Sequence, residues 1–356
     1  MPRLTSKGRS VREAGRGVRV TIAEVARRAG VSIATVSRVA NNLPRQVHPE
    51  TRRRVLRAIR ALDFHPNVLA RSLHQKRTQT LGLIIPDISN PYYAEIAWGI
   101  EDVASRRSYT LFICNTDRKL EKMRHHLRIL RERQVDGVII GGGGVSGQRH
   151  FAELMDRGIP TVSIGRYRAK LPAVRVDNVK GAWEAATHLI RLGHRRIAVL
   201  AGPATSTTTA DRLAGYRNAF AEHGLRLPAS WCVYGDLRPE SGFSAAAGFM
   251  ASHPRPTAIL AINDQMAIGA MRALLNRGIR IPEEVSIVGF DNIALASFVT
   301  PALTTMALPL GRMGAAAAEA LLRVLGGEAK IEEIWFTPEL VVRESSAEPP
   351  SQSPNA

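Results

Sequence analysis

The sequence predicts an α/β protein with an N-terminal three-helix helix-turn-helix headpiece and hinge helix, then a two-lobed core of doubly wound parallel sheets. Three observations predict it. Of the net charge of +18 on 356 residues, residues 1–80 hold +14, with 18 basic against 4 acidic side chains. Apolar residues fall at helical spacing on both sides of Gly30. Beyond Thr80, seven short apolar runs are each followed by a helical pattern, as in parallel sheets covered by helices on both faces. The length exceeds what one hydrophobic core fills, so several domains are expected.

Residues 1–19 mix Arg, Lys, Gly and Ser without apolar period and read as a disordered basic arm. From Thr21, placed as an N-cap, Ile22, Val25, Ala26 and Ala29 make a helical stripe. Gly30 ends that helix where a left-handed residue is useful, and Ser32 caps a second one with Val36, Val39 and Ala40 facing inward. So short a turn forces a steep crossing, with Ala26 small at the approach. The outward face of the second helix is then Ile33, Ala34, Ser37 and Arg38. Such a set suits the DNA major groove, where Arg reaches guanine and small apolar groups meet a thymine methyl. A third helix follows in "HPETRRRVLRAIRALDF", with Pro49 in its first turn, a stripe of Val55, Ile59 and Leu62, and arginines of which some should lie near phosphate. The helix-turn-helix domain is thus 20–65. In "FHPNVLARSLHQKRTQT" Pro66 breaks the helix and Asn67 caps a stretch too short to be stable alone, so 66–79 reads as a hinge helix and linker that folds when held.

"VTIAEVARRAGVSIATVSRVANN", the "HPN…A…L" hinge and the core runs together resemble the LacI/GalR family of bacterial transcription repressors, from about Val20 to Arg343. The resemblance implies hinge helices of two subunits paired in the minor groove. Leu73 would wedge into the central base step, Asn67 would match the hinge pattern, and Ala70 would be small where the helices touch. It further implies that Ile33, Ala34 and Arg38 read bases, while Thr21, Ser37 and Asn42 mostly fix the backbone.

The strand-like runs of the core, 80–343, are "TLGLIIPD", "YTLFICN", "VDGVIIGG", "IPTVSIG", "RRIAVLAG", "TAILAIN" and "EVSIVGFD". Ligands of such sheets bind beyond the carboxyl ends of strands. The residues there are Asp87, Asn90, Tyr92 and Tyr93; Asn115 and Thr116; Arg166; Arg212; Asn263 and Asp264; and Asp291 and Asn292. Polar groups at successive strand ends with an aromatic pair resemble a sugar site. Periplasmic binding proteins share the two-lobed fold of the family's core, which implies lobes at about 80–178 plus 308–343 and at 179–307, with an effector between them. Two departures bear on that effector: Gly165 stands where sugar-binding members often carry an acid before the arginine, and Leu237 stands where several set an aromatic ring. A less ring-like or more anionic ligand, paired to Arg166 and Arg212, is the alternative.

Other function classes fare worse. There is no apolar run long enough for a membrane span and no signal-peptide core in the first twenty residues, so a cytoplasmic protein without membrane partner is expected. Cys114 and Cys232 lie far apart without metal-ligand spacing, which suggests buried apolar residues and neither disulfide nor zinc. No P-loop, nucleophile elbow or metal-ligand pair occurs, and no cofactor is expected. Gly142, Gly144 and Gly147 match G-x-G-x-x-G after a strand, yet two strand and helix units precede them where a dinucleotide fold needs its first strand, and the next strand ends in "IGR". An enzyme is therefore not expected. The Pro- and Ser-rich end, 344–356, reads as a disordered tail without leucine heptads, and a dimer is expected because a palindromic operator on double-stranded DNA demands two-fold symmetry.

Overall fold

The computed structural model describes residues 20–40, 47–64, 77–142, 158–167, 171–328 and 331–350, in two compact units divided after Thr78. The first unit holds α1 (Ile22–Ala29), α2 (Ile33–Ala40) and α3 (Pro49–Ala61). Thr21 caps α1 in a capping box: its hydroxyl accepts from the Glu24 amide, and the Glu24 carboxylate accepts from the Thr21 amide at 2.7 Å. Gly30 closes α1 at φ 62°, a left-handed conformation that an L side chain adopts at a cost. Ser32 accepts from the Thr35 amide at 3.2 Å and so starts α2. Val25, Val36, Val55 and Phe64 are buried together, with Ile59 and Leu62 packed against them.

The second unit contains two six-stranded sheets. The strands of the first are β1 (Thr80–Ile85), β2 (Thr110–Asn115), β3 (Gly137–Gly141), β4 (Thr161–Ile164), β5 (Ala173–Val176) and β11 (Ile334–Phe336), in the order β11-β5-β4-β3-β1-β2 and all parallel. The second runs β12-β10-β9-β8-β6-β7, from β6 (Ile197–Ala201), β7 (Cys232–Tyr234), β8 (Ala258–Ala261), β9 (Ser286–Asp291), β10 (Thr304–Ala307) and β12 (Glu339–Val341). Only β12 among these is antiparallel to its neighbour. Among the described residues seven helices cover the sheets: α4 (Pro91–Arg106), α5 (Leu120–Glu132), α6 (Asn178–Arg191), α7 (Thr207–Glu222), α8 (Pro239–Ala251), α9 (Asp264–Leu275) and α10 (Leu310–Leu325). Near-continuous burial of β1, β3, β6, β8 and β9 is what helices on both faces impose.

The chain crosses between lobes three times: at Asp177 between β5 and α6, at 308–309 between β10 and α10, which packs on α4, and at 337–338 between β11 and β12. The Asp177 amide donates to the Phe336 carbonyl at 3.0 Å, and Gly181 leaves room for Pro338, which a Cβ would meet at 2.6 Å. The third crossing corrects the expected lobe boundary, because β12 joins the second sheet, not the first.

The expected disordered tail also needs correction. Residues 344–350 lie within the described structure, and Ser345 is fully buried. Its carbonyl accepts from the Ile287 amide at 2.7 Å, and its hydroxyl accepts from Thr304 N at 2.8 Å and donates to Ile287 O at 2.6 Å. Ser346 and Ala347 bond to His188 and His194 at 3.0 and 2.9 Å. The composition suggested disorder, but here the short hydroxyls satisfy backbone groups of β9 and β10. Cys114 is buried as expected, whereas Cys232, in β7 at the sheet edge, is half-buried; both are free thiols. No helix among the described residues is long and apolar enough to cross a membrane.

Candidate functional site

Two sites emerge, one in each unit. In the first, α2 buries Val36 and Val39 and presents Ile33, 52% exposed, with Ala34 and Arg38 also exposed and Ser37 half-buried. Thr21 is exposed at the N-cap of α1, and Asn42, Asn67, Ala70 and Leu73, also expected at DNA, lie outside the described residues.

In the second unit, the carboxyl ends of both sheets face one cleft. Asn90, Tyr92, Tyr93, Gly142, Ile164, Gly165 and Val176 line it from the first lobe, and Asn178, Ser206, Thr208, Thr209, Arg212, Leu237, Ile262, Asn263 and Asp291 from the second. The cavity is about 60 Å³. That is room for about four to six waters, displaced by a small polar molecule.

Arg212, on α7, is almost wholly buried at the floor. Its Nε donates to Asn178 Oδ1 at 2.8 Å, one terminal nitrogen donates to the Ile262 carbonyl, and the other donates to Asp291 Oδ1 at 3.2 Å. The guanidinium lies 3.5 Å from the ring centroid of Phe290. Its charge is therefore balanced before a ligand arrives. Burial pushes the Asp291 carboxyl up from its ordinary range, and Arg212 opposes the rise. Asp264, behind it, accepts from Thr305 Oγ1 at 2.5 Å and from the Ile293 amide at 2.9 Å. Burial raises its carboxyl too, reinforced by Asp291. Tyr92 and Tyr93 stand edge to face at 4.9 Å, and loss of hydration pushes the Tyr93 phenol up to about 12 and that of Tyr92 up as well. Both therefore offer neutral hydroxyls at physiological pH.

Several cleft residues have structural bonds of their own. Asn90 caps α4 through the Tyr92 amide, and Asn263 caps α9 while donating to the Leu237 carbonyl at 3.1 Å. Of the ten residues expected at an effector, seven line the cavity; Asp87, Asn115 and Arg166 lie outside that lining, each bonded to other protein groups. Asp87 pairs with Arg238 at 3.2 Å, Arg166 with Asp211 at 2.6 Å, and Asn115 bonds to the Ile88 amide and Asp117. An anion paired to Arg166 and Arg212 would compete with Asp211 for the first and with Asp291 for the second.

Sequence reasoning missed Asn178, Ser206, Thr208 and Thr209. The three hydroxyl residues stand in "PATSTTTAD" after β6, where the strand-end rule already pointed; Asn178 follows β5, whose four residues gave no strand signal. Gly142, at φ 109°, follows β3 directly and makes room for Pro86 and Tyr93, while Gly144 and Gly147 lie outside the described residues. Among the described residues no group of His, Cys, Asp or Glu could hold a metal ion.

A helix-turn-helix unit joined to a two-lobed, cleft-bearing α/β core defines the class of ligand-responsive DNA-binding regulators. The chain matches "Bacterial regulatory proteins, lacI family" over residues 21–67 and "Periplasmic binding proteins and sugar binding domain of LacI family" over 78–343. It belongs to the LacI family of DNA-binding transcription regulators and is not an enzyme. Catabolite control protein A of Priestia megaterium is 39% identical over 87% of this chain and 93% of its own length. Among solved structures, the Lac repressor dimer bound to operator and the anti-inducer ONPF superposes with a TM-score of 0.83 at 28% identity, covering 92% of this chain and 99% of that one. A transcriptional regulator CelR–cellobiose complex does so with 0.70 at 32%, covering 92% and 100%.

Proposed function

We propose that the protein is a homodimeric repressor that binds a palindromic operator through α2 and is controlled by a neutral, polyhydroxylated small molecule, a sugar or sugar derivative, in the interlobe cleft. One observation carries the ligand class: the buried cation of the cleft is neutralised by Asp291, so the site favours hydroxyl groups over an anion. Tyr92, Tyr93, Ser206 and Thr208 surround that pair with neutral hydrogen-bonding groups. The solved relative with cellobiose supports the reading. The exposed set Ile33, Ala34 and Arg38 is suited to base edges, with Thr21, Ser37, Asn42, Asn67 and Ala70 fixing the backbone or hinge and Leu73 as the wedge. Effector binding shifts lobe closure, and DNA affinity and effector affinity change reciprocally, with couplings of about 1–3 kcal/mol.

The test is selection from random duplex DNA, then salt titration on the enriched sequence with and without neutral sugars and sugar acids. A palindrome bound far more tightly than bulk DNA, with an affinity that moves on adding a neutral sugar, is the expected result. Uniform binding of all duplexes with a steep salt slope overturns the operator reading; a response to sugar acids alone overturns the ligand class.

A further inference from the structure

The segment from β7 to α8 carries a second arrangement, at the edge of the cleft. Leu237 is a non-glycine residue at φ 71°, a conformation that is costly for an L side chain and persists only where the surroundings impose it. They do so here from both sides. The Gly235 amide donates to the Ala201 carbonyl at 2.8 Å, Asp236 Oδ1 accepts from the Arg238 amide at 3.0 Å, and the Leu237 carbonyl accepts from Asn263. Held this way, Leu237 packs against Gly202, where a Cβ would come within 2.8 Å of it, and lines the cleft. The next residue, Arg238, reaches over the cleft to the first lobe: its Nε and one terminal nitrogen donate to Asp87 Oδ2 at 3.3 and 3.2 Å. Asp87 is buried, and its other oxygen accepts from the Ser89 amide and hydroxyl at 3.1 and 2.6 Å, so both its oxygens are engaged. A second link joins the lobes through α7, where Arg166 of the first pairs with Asp211 of the second and Thr207 Oγ1 donates to the Arg166 carbonyl at 3.0 Å.

We propose that Arg238 and Asp87 are positioning residues for effector binding, their ion pair tying Leu237 down as an aliphatic lid that must lift before a ligand enters or leaves, with Arg166–Asp211 as the matching strap. The inference deepens the reading of the cleft as an effector site and rests on it, but the clasp is measurable without a ligand.

The experiment is hydrogen exchange on the intact, ligand-free protein, read at the amides of residues 236–241 and 87–90. An ion pair of this exposure contributes about 1 kcal/mol, so Arg238→Ala and Asp87→Asn should each speed exchange at both segments about fivefold. Arg238→Lys, which keeps the charge, should restore much of the protection, and Arg166→Ala, at a half-exposed position, should loosen 206–212 alone. Thermal unfolding identifies any variant that fails to fold, in which case Arg166→Ala and Arg238→Lys decide. The second readout is the release rate of D-ribose or cellobiose, whichever the wild type takes up: release should quicken in Arg238→Ala by a similar factor. Unchanged exchange in both Arg238→Ala and Asp87→Asn overturns the clasp, as does release that no variant alters. If neither sugar binds while the exchange pattern holds, the clasp stands and the ligand class fails.

Discussion

Arg38 and Arg212 carry the same charge and are predicted to behave in opposite ways when removed. Arg38 is exposed on α2, so its removal should leave folding nearly unchanged. We expect Arg38→Ala to relax preference at one base pair of each half-site by about 1–3 kcal/mol, measured by competition among single-base operator variants; unchanged preference removes it from the reading face. Arg212 is buried against Asp291 and Phe290, so Arg212→Ala strands a carboxylate and should cost about 3–5 kcal/mol in denaturant unfolding. A loss below about 1 kcal/mol would mean that water reaches the pair. Asp87 is a third case. The Ser89 hydroxyl and amide and the Arg238 charge outweigh burial and hold its carboxyl below the ordinary value of 3.8. A carboxyl lowered by folding binds its proton more weakly than in the unfolded chain. Its contribution is therefore complete above that ordinary value and is lost as pH falls through the lowered one. Interlobe exchange protection should follow that course in the wild type and lose the dependence in Asp87→Asn.

At the scale of elements, Gly30 and the segment 344–347 make separate predictions. Gly30→Ala meets no steric obstacle, so the left-handed backbone alone should set its cost, roughly 1–2 kcal/mol, read from unfolding of the helix-turn-helix unit. His194 is fully buried between Thr257, Ser286 and the Ala347 carbonyl, and burial lowers its affinity for a proton below the ordinary 6.5. Burial favours the neutral ring, so docking of 344–347 should be firm above pH 6.5 and weaken as pH falls from there through the lowered value. Amide exchange at Ser345 and Ala347 measured from pH 8 down to about 5 checks it, and a flat profile would count against His194 as the cause. The same elements show what a sequence discloses. Runs such as "LGLII" and "IAVLA" announce buried parallel strands because nothing polar interrupts them. "AVRV", "CVY" and "TTMA" do not, being three or four residues long and made strands by their neighbours in the sheet. Strand ends likewise pointed to Asn90, Tyr92, Tyr93, Arg212, Asn263 and Asp291, and the family resemblance to Leu237, all of which line one cleft, whereas the pairing of Asp87 with a residue 151 positions away had no local signature.

At the scale of the whole molecule, reciprocity is the firmest expectation of the proposed function. Whatever factor the effector imposes on operator affinity, the operator must impose on effector affinity. Titrating each ligand in the presence and absence of the other checks it; unequal factors would reveal a further bound species. The three interlobe crossings add a restriction of another kind. Because Asp177, 308–309 and 337–338 tether the same two bodies, and Asp177 is bonded to Phe336 just before the third, the lobes can swing but have little freedom to slide. Molecules competing for the cleft would then differ only in how far along one common arc they bring the lobes to rest. The language of such a switch has an amplitude and no direction, and agonist and antagonist would be two stops on the same dial.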